Sequence, residues 1–163
     1  MSRFSRRWLL TSVALLGALG FAGSSIAGAA SKAGKPEHGT VHFALTHRVG
    51  KLNVAAGDVT DSLFGAGAVV YRLHILPANA HQLTIRISKV TLFYSTGSAT
   101  GSATATLTVT NKPKAGDSTV THGVLKLTKG AGSHQGHTFV GTFSGTGNIN
   151  SDLYTIQYKG TYK

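Results

Sequence analysis

Apolar and polar side chains alternate with a period of two from residue 40 to the end of the chain. This period places one set of side chains on each face of an extended strand, whereas a half-buried helix repeats every 3.6 residues. No window of about a dozen residues in this part of the sequence carries the apolar stripe of a helix. The alternating runs cover residues 41–46, 69–75, 82–87, 90–94, 103–110, 120–128, 137–146 and 153–162. The sequence therefore predicts an all-β domain.

Clusters of Gly, Pro, Ser, Asn and Asp separate these runs, as is typical of antiparallel strands joined by turns. Strands at such short intervals form either a sandwich or a closed barrel. Gly141 and Gly145 share a strand face with Phe139 and Phe143. Inward glycines permit the sharp coiling that closure requires. We therefore predict a single antiparallel barrel of about eight strands over residues 40–163, with a β-sandwich as the alternative.

The apolar phase slips by one residue between Ile87 and Val90, with no Gly or Pro in between. Because successive side chains point to opposite faces of a strand, such a slip moves the apolar set to the other face unless the backbone adjusts. The sequence thus predicts either a β-bulge at Ser88–Lys89 or a tight turn there.

Residues 1–30 have the three parts of an export signal. Three arginines form a basic head, an apolar stretch follows over residues 8–26, and residues 27–29 read Ala-Gly-Ala, which matches a small-residue cleavage site. We expect cleavage after Ala29 or Ala30 and a secreted or extracytoplasmic location in a bacterium. Residues 31–39, rich in small and polar side chains, are expected to form a flexible leader before the barrel.

The segment 5–10 reads Ser-Arg-Arg-Trp-Leu-Leu and resembles the twin-arginine export motif. Both the twin-arginine route and the general secretory route therefore stay open. Glycines and serines dilute the apolar stretch below the ~20 strongly apolar residues of a comfortable spanning helix. We expect no membrane span once the signal is removed.

Composition excludes several classes of function. The 163 residues contain no cysteine, which excludes a disulfide scaffold, a thiolate metal site and a cysteine nucleophile. Only 5 carboxylates stand against 16 Lys and Arg residues, which argues against a paired-acid hydrolase and a carboxylate-rich calcium site. The formal net charge of +11 falls to +8 when the three signal arginines are removed.

The basic residues are spread along the chain without the interleaved aromatics of a nucleic-acid-binding surface, so no nucleic acid partner is expected. For an exported protein, a basic exterior suits an anionic cell-envelope polymer, lipid head groups or extracellular polysaccharide. A merely soluble basic surface is the alternative. The sequence leaves the oligomeric state open.

A C-terminal segment carries a family resemblance. Residues 123–132, followed by Gly136 and by Gly-Thr-Phe at 141–143, resemble the allene oxide cyclase-like and dirigent-like families. The resemblance implies an eight-stranded calycin-type barrel with an apolar lumen. It does not carry catalysis over, because no acid lies in a clearly inward strand position. The acids are Glu37, Asp58, Asp61, Asp117 and Asp152.

The alternation places aromatic and aliphatic side chains inside the predicted barrel. The candidate ligand-binding residues are Tyr71, Leu73, Tyr94, Phe139, Phe143, Tyr154 and Tyr158. Tyrosines supply an apolar wall with a hydroxyl group. A barrel of about eight strands is near the size at which the lumen is either filled by side chains or holds one small ligand. A packed core is therefore the alternative.

Two histidines are candidates for acid–base chemistry. His47 continues the inward phase of residues 41–45, and His137 begins the inward phase of Phe139, so both are expected at strand ends near a barrel mouth. They are catalytic candidates only if the protein is an enzyme, and otherwise they are strand-end residues in solvent. His134 and His137 have a spacing that suits zinc, but no third ligand is identifiable, so we expect neither a metal nor a cofactor.

These observations predict a secreted, non-catalytic β-barrel protein that binds a small apolar ligand in its lumen. Two alternatives stay open. One is a lumenal isomerase or cyclase of the allene oxide cyclase-like type, and the other is a basic structural protein that binds the cell envelope or a polyanion. The scarcity of acids and the lack of a Gly-x-Ser-x-Gly motif argue against an enzyme.

Overall fold

The structure, a computed structural model, describes residues 33–163, and eight β-strands account for most of them. In chain order the strands are β1 (Lys35–Val49), β2 (Leu52–Asp61), β3 (Gly65–Pro77), β4 (Gln82–Tyr94), β5 (Gly97–Val109), β6 (Asp117–Gly132), β7 (Phe139–Asn148) and β8 (Leu153–Tyr162). The export signal, its cleavage site and the twin-arginine-like segment lie outside the described residues. Within residues 33–163, no helix is long and apolar enough to cross a membrane.

Each strand pairs antiparallel with the next one in the chain, and β8 pairs with β1 to close a barrel. Lys35 lies opposite Tyr162 and Ala44 lies opposite Leu153, so closure joins the first and last strands along most of their length. A closed sheet has no edge strand with unpaired backbone groups. The predicted antiparallel barrel of about eight strands is confirmed, and the sandwich alternative is wrong.

β1 begins at Lys35, five residues before the predicted start of the barrel at residue 40. The residues from Lys35 to Gly39, which the sequence assigns to the leader, pair with residues 158–162 of β8. Their sequence contains a proline and a glycine and shows no alternation, so the local pattern does not indicate a strand. The partner strand supplies the hydrogen bonds that keep this segment extended.

The alternation does not reveal β2. Its buried side chains include Asn53, Ala55, Val59 and Asp61, and only two of these four are apolar. Pairing with both β1 and β3 holds the segment extended in spite of this weak pattern. Pairing with the neighbouring strands therefore makes this segment a strand, although its own sequence does not indicate one.

β4 runs without interruption from Gln82 to Tyr94, and its register with β5 shifts between Ile87 and Val90. The predicted β-bulge at Ser88–Lys89 is therefore confirmed, and the tight turn is wrong. Because of the bulge, the apolar side chains before and after it all point into the barrel interior.

The barrel has two different ends. We call the mouth the end that carries the connections 50–51, 78–81, 110–116 and 149–152. We call the floor the opposite end, which carries the β2–β3 and β4–β5 turns, the loop 133–138 and the first residues of β1. Odd-numbered strands run towards the mouth and even-numbered strands run away from it.

Four inward aromatic rings each lie directly across from a glycine of the neighbouring strand. The pairs are Gly39 with Tyr158, Gly67 with Tyr94, Gly123 with Phe143, and Gly147 with Tyr154. A methyl group on Gly39 would come within 2.5 Å of the Tyr158 ring, and one on Gly141 within 2.5 Å of the Phe139 ring. These glycines give the rings room inside the barrel.

Candidate functional site: the barrel lumen

The lumen contains a cavity of about 260 Å³ with a largely apolar wall. Five of the seven predicted ligand-binding residues line it, namely Tyr71, Leu73, Phe143, Tyr154 and Tyr158. The other two, Tyr94 and Phe139, face inward at the floor and line a separate cavity of about 10 Å³. The period-two pattern places a side chain inside the barrel, but it does not give its depth along the barrel axis.

Further lining residues share the same inward phase but are not among the seven predicted ones. They include Val41, Phe43, Ile85, Ala103, Ala105 and Leu107. The two alanines matter most, because a larger side chain at either position would occupy the lumen. Phe43 stacks on Tyr154 with ring centroids 5.2 Å apart and meets Tyr71 at 5.1 Å, which forms an aromatic wall.

An unpredicted β-bulge determines which polar residue lines the mouth. The register of β1 with β2 shifts between Leu45 and His47, so the inward phase passes to Arg48. Arg48 Nε donates a hydrogen bond to Oδ1 of the buried Asn53 at 3.0 Å. His47 is exposed, and the prediction that it faces inward is wrong. Asp152 is the second charged residue in the cavity wall.

His137 lies in the loop before β7, at the floor rather than the mouth. It is exposed, its Nδ1 atom lies 3.0 Å from the Lys163 carbonyl oxygen, and its ring stacks on Tyr162 with centroids 4.9 Å apart. It does not border the 260 Å³ cavity. The two histidines proposed as acid–base candidates therefore lie at opposite ends of the barrel, and the prediction that both face the lumen is wrong.

Two buried carboxyl groups lie at the floor. Glu37 of β1 and Asp61 of β2 are 3% and 5% exposed, so the expectation that no acid faces inward is wrong. Asp61 Oδ1 accepts hydrogen bonds from the N–H groups of Leu63 and Phe64 at 2.7 and 3.0 Å, which holds the β2–β3 turn. Its Oδ2 accepts a hydrogen bond from the Tyr158 hydroxyl group. Because Tyr158 also lines the lumen, this hydroxyl group links the carboxyl group to the cavity.

Burial keeps Glu37, Tyr94 and Tyr158 at the floor in their neutral protonation states. Burial, with a hydrogen bond and the charge of Asp61, raises the pKa of Glu37 to about 9. Burial also raises the pKa of the Tyr158 and Tyr94 phenols above their usual range. The hydroxyl oxygens of these tyrosines lie 3.5 Å apart. At neutral pH, Glu37 is therefore a carboxylic acid and both tyrosines are neutral phenols.

His134, in the loop before β7, closes the floor. Its side chain is buried against Phe64 and Tyr94, with ring centroids 4.3 and 5.4 Å away. Burial lowers its pKa, so the imidazole is neutral at pH 7. Among residues 33–163, the buried side-chain N and O atoms without a hydrogen-bond partner are His134 Nε2 and Glu37 Oε2. Both residues line the 10 Å³ cavity, which is close to the size needed by one water molecule.

In the part of the chain that the structure describes, no three His, Cys, Asp or Glu side chains come together as potential metal ligands. The chain matches no protein-family model, no curated protein and no solved structure. The resemblance to the allene oxide cyclase-like and dirigent-like families therefore stays a prediction.

Proposed function

We propose that this barrel binds a small apolar molecule in its lumen without transforming it. The apolar cavity carries the proposal, because its wall is aliphatic and aromatic apart from Arg48 and Asp152. Moving apolar surface from water into such a site is favourable by roughly 25 cal/mol per Å². The ligand enters through the mouth, since His134 and Tyr94 are buried at the floor.

The cavity narrows the class of ligand. Its volume of about 260 Å³ lies just below the range of about 300–1,000 Å³ that is typical of sites for drug-sized molecules. A compact and mostly apolar molecule therefore fits best. Arg48 and Asp152 place charge where the bound molecule meets water, so a polar group of the ligand belongs at the mouth.

Titration of the protein with an environment-sensitive apolar dye tests this proposal. We expect saturable binding of one dye per chain and displacement by medium-chain fatty alcohols. Ala105→Phe places a ring in the lumen and should abolish dye binding. Ala68→Phe is the matched control, because Ala68 is exposed on the outer face of β3, and it should leave binding unchanged. A flat titration of the unmodified protein, or equal binding by the two variants, contradicts the proposal.

The buried titratable groups at the floor favour a second candidate function, a lumenal isomerase or cyclase. Acid–base catalysis needs a titratable group within hydrogen-bond reach of the substrate. The Tyr158 hydroxyl group belongs to a residue that lines the cavity, and it is hydrogen-bonded to Asp61. For this alternative we propose Tyr158 and Asp61 as the acid–base pair, in place of His47 and His137.

Identification of the bound molecule separates the two functions. Mass spectrometry of the molecules extracted from the purified protein gives the ligand, which is then incubated with fresh protein. Chromatography that detects only unchanged ligand contradicts the enzyme. If an isomer forms, Asp61→Asn and Tyr158→Phe should abolish its formation while dye binding persists.

A further inference from the structure

Exposed aliphatic side chains surround the mouth of the lumen. Ile149 lines the cavity and is 37% exposed, while Leu76 near the end of β3 and Leu153 at the start of β8 are 39% and 59% exposed. All three lie at the mouth, because β3 ends there and the β7–β8 connection and β8 begin there. Apolar side chains grouped at the opening of an apolar cavity are typical of an interaction site.

Basic side chains are exposed at the same end. They are Arg48, Lys51, Lys112 and Lys114. Asp117 follows the loop that carries Lys112 and Lys114, and both of its carboxylate oxygens accept hydrogen bonds from neutral groups. Oδ2 accepts a hydrogen bond from the Lys114 N–H at 2.8 Å, and Oδ1 accepts one from the Asn148 side-chain amide at 2.8 Å. Asp117 and Asp152 are the acidic residues at this end, against four basic side chains, so the mouth combines aliphatic groups with an excess of positive charge.

The basic character continues onto the outer face of β3 and β4. Arg72 lies directly opposite Lys89. Like charges that face each other across a strand pair repel. This pair lies on the outer wall about halfway along β3 and β4, so the positive charge extends from the mouth onto the side of the barrel.

We propose that the mouth surface docks on an anionic lipid membrane. The mouth surface is defined by Arg48, Lys51, Leu76, Lys112, Lys114, Ile149 and Leu153. Its aliphatic side chains enter the boundary between head groups and acyl chains, and its basic side chains contact the lipid phosphates. The lumen then opens towards the bilayer, and an apolar ligand passes between membrane and cavity without crossing water. This transfer rests on the proposed function, whereas the docking itself does not.

A lipid surface accounts for the mouth better than a soluble anionic polymer does. A polymer neutralises the basic side chains but leaves Leu76, Ile149 and Leu153 in water. An anionic bilayer receives both kinds of side chain at once. The cavity also opens on this surface and is closed at the other end, so the docked orientation places the opening against the acyl chains.

Sedimentation with lipid vesicles tests the docking. The experiment uses residues 31–163, which contain all eight strands that close the barrel. We expect this protein to bind vesicles that contain phosphatidylglycerol and to bind phosphatidylcholine vesicles far less. High salt should release it, because salt screens the attraction between lysines and lipid phosphates.

Paired variants locate the contact. Leu153→Asp and Lys112→Glu should each weaken binding to anionic vesicles by about fivefold or more, since one lysine near such a surface contributes roughly that factor. Val140→Asp is the control for the leucine, because Val140 is exposed near the floor end of β7. Lys126→Glu on β6 is the control for the lysine. Both controls should bind like the parent protein.

Three results overturn the proposal. The first is no binding to anionic vesicles, and the second is equal loss in the mouth variants and their controls. The third is binding to a soluble polyanion in the absence of any binding to vesicles, with Leu153→Asp binding the polyanion as well as the parent protein does. This third result would assign the surface to a polymer. Dye binding without vesicles is measured in parallel, and Leu153→Asp should preserve it. A failure of docking is thereby distinguished from a failure of lumen binding.

Discussion

Glu37 makes the stability of the barrel depend on pH in a direction that is unusual for an acid. Its pKa is raised from 4.5 to about 9 in the folded protein. Between these values the folded state binds a proton that the unfolded state has released. The contribution of Glu37 to the free energy of unfolding is therefore complete below its unfolded pKa of 4.5, and it is lost as the pH rises towards its folded pKa of about 9. Glu37→Gln removes this proton without changing the shape of the side chain.

The size of the effect follows from the raised pKa of Glu37. A group that is protonated only in the folded state changes the free energy of unfolding by about 1.4 kcal/mol per pH unit. Since Glu37 lies near the end of the barrel, partial screening by solvent reduces the effect. We expect the parent protein to lose roughly 1–2 kcal/mol between pH 7 and 9. The buried floor tyrosines titrate above this window.

Urea denaturation at pH 7, 8 and 9 measures this loss. The parent protein should become steadily less stable over the series, whereas Glu37→Gln should be nearly flat and more stable than the parent at pH 9. Asp58→Asn, which changes an exposed carboxylate of β2, is the control and should follow the parent. The same slope in the parent and in Glu37→Gln would refute the buried, protonated state of Glu37.

Three further predictions concern the floor, the interior glycines and the signal. Tyr158→Phe leaves Asp61 Oδ2 without its hydrogen-bond donor and should cost about 1–3 kcal/mol of unfolding free energy, so an unchanged urea midpoint would contradict the floor contact. Gly39→Ala forces a methyl group to within 2.5 Å of the Tyr158 ring and should cost about 1–3 kcal/mol in thermal unfolding, and a neutral result would show that the ring lies elsewhere. Mass spectrometry of the secreted protein should show cleavage after Ala29 or Ala30, and an intact Met1 would argue against the export signal.

Much of the barrel is predictable from the period-two alternation, because one buried face repeats along most strands. This pattern identifies β3 and β8 and the inward phase of Tyr71, Tyr154 and Tyr158. It also locates the β4 bulge, since there the apolar phase itself slips. Five of the seven predicted lumen residues line the cavity for this reason.

The ends of the barrel were not predictable in the same way. Asp61 and Glu37 lie on segments whose local sequence is polar or rich in small residues, and only pairing with neighbouring strands turns them inward. The alternation predicts an inward His47, but the β1 bulge changes the phase after Leu45 without a change in the apolar pattern. Side chains at strand ends therefore depend on backbone irregularities that alternation does not encode.

Diffraction from crystals pressurised with xenon tests the central claim, an open apolar lumen, most directly. Xenon enters apolar cavities and leaves filled interiors and polar surfaces unoccupied. We predict xenon density inside the barrel, next to Ala103, Ala105 and the Phe43 ring, and its loss in Ala105→Phe. A lumen without xenon, filled instead by the rings of Tyr71 and Tyr154, would contradict the account.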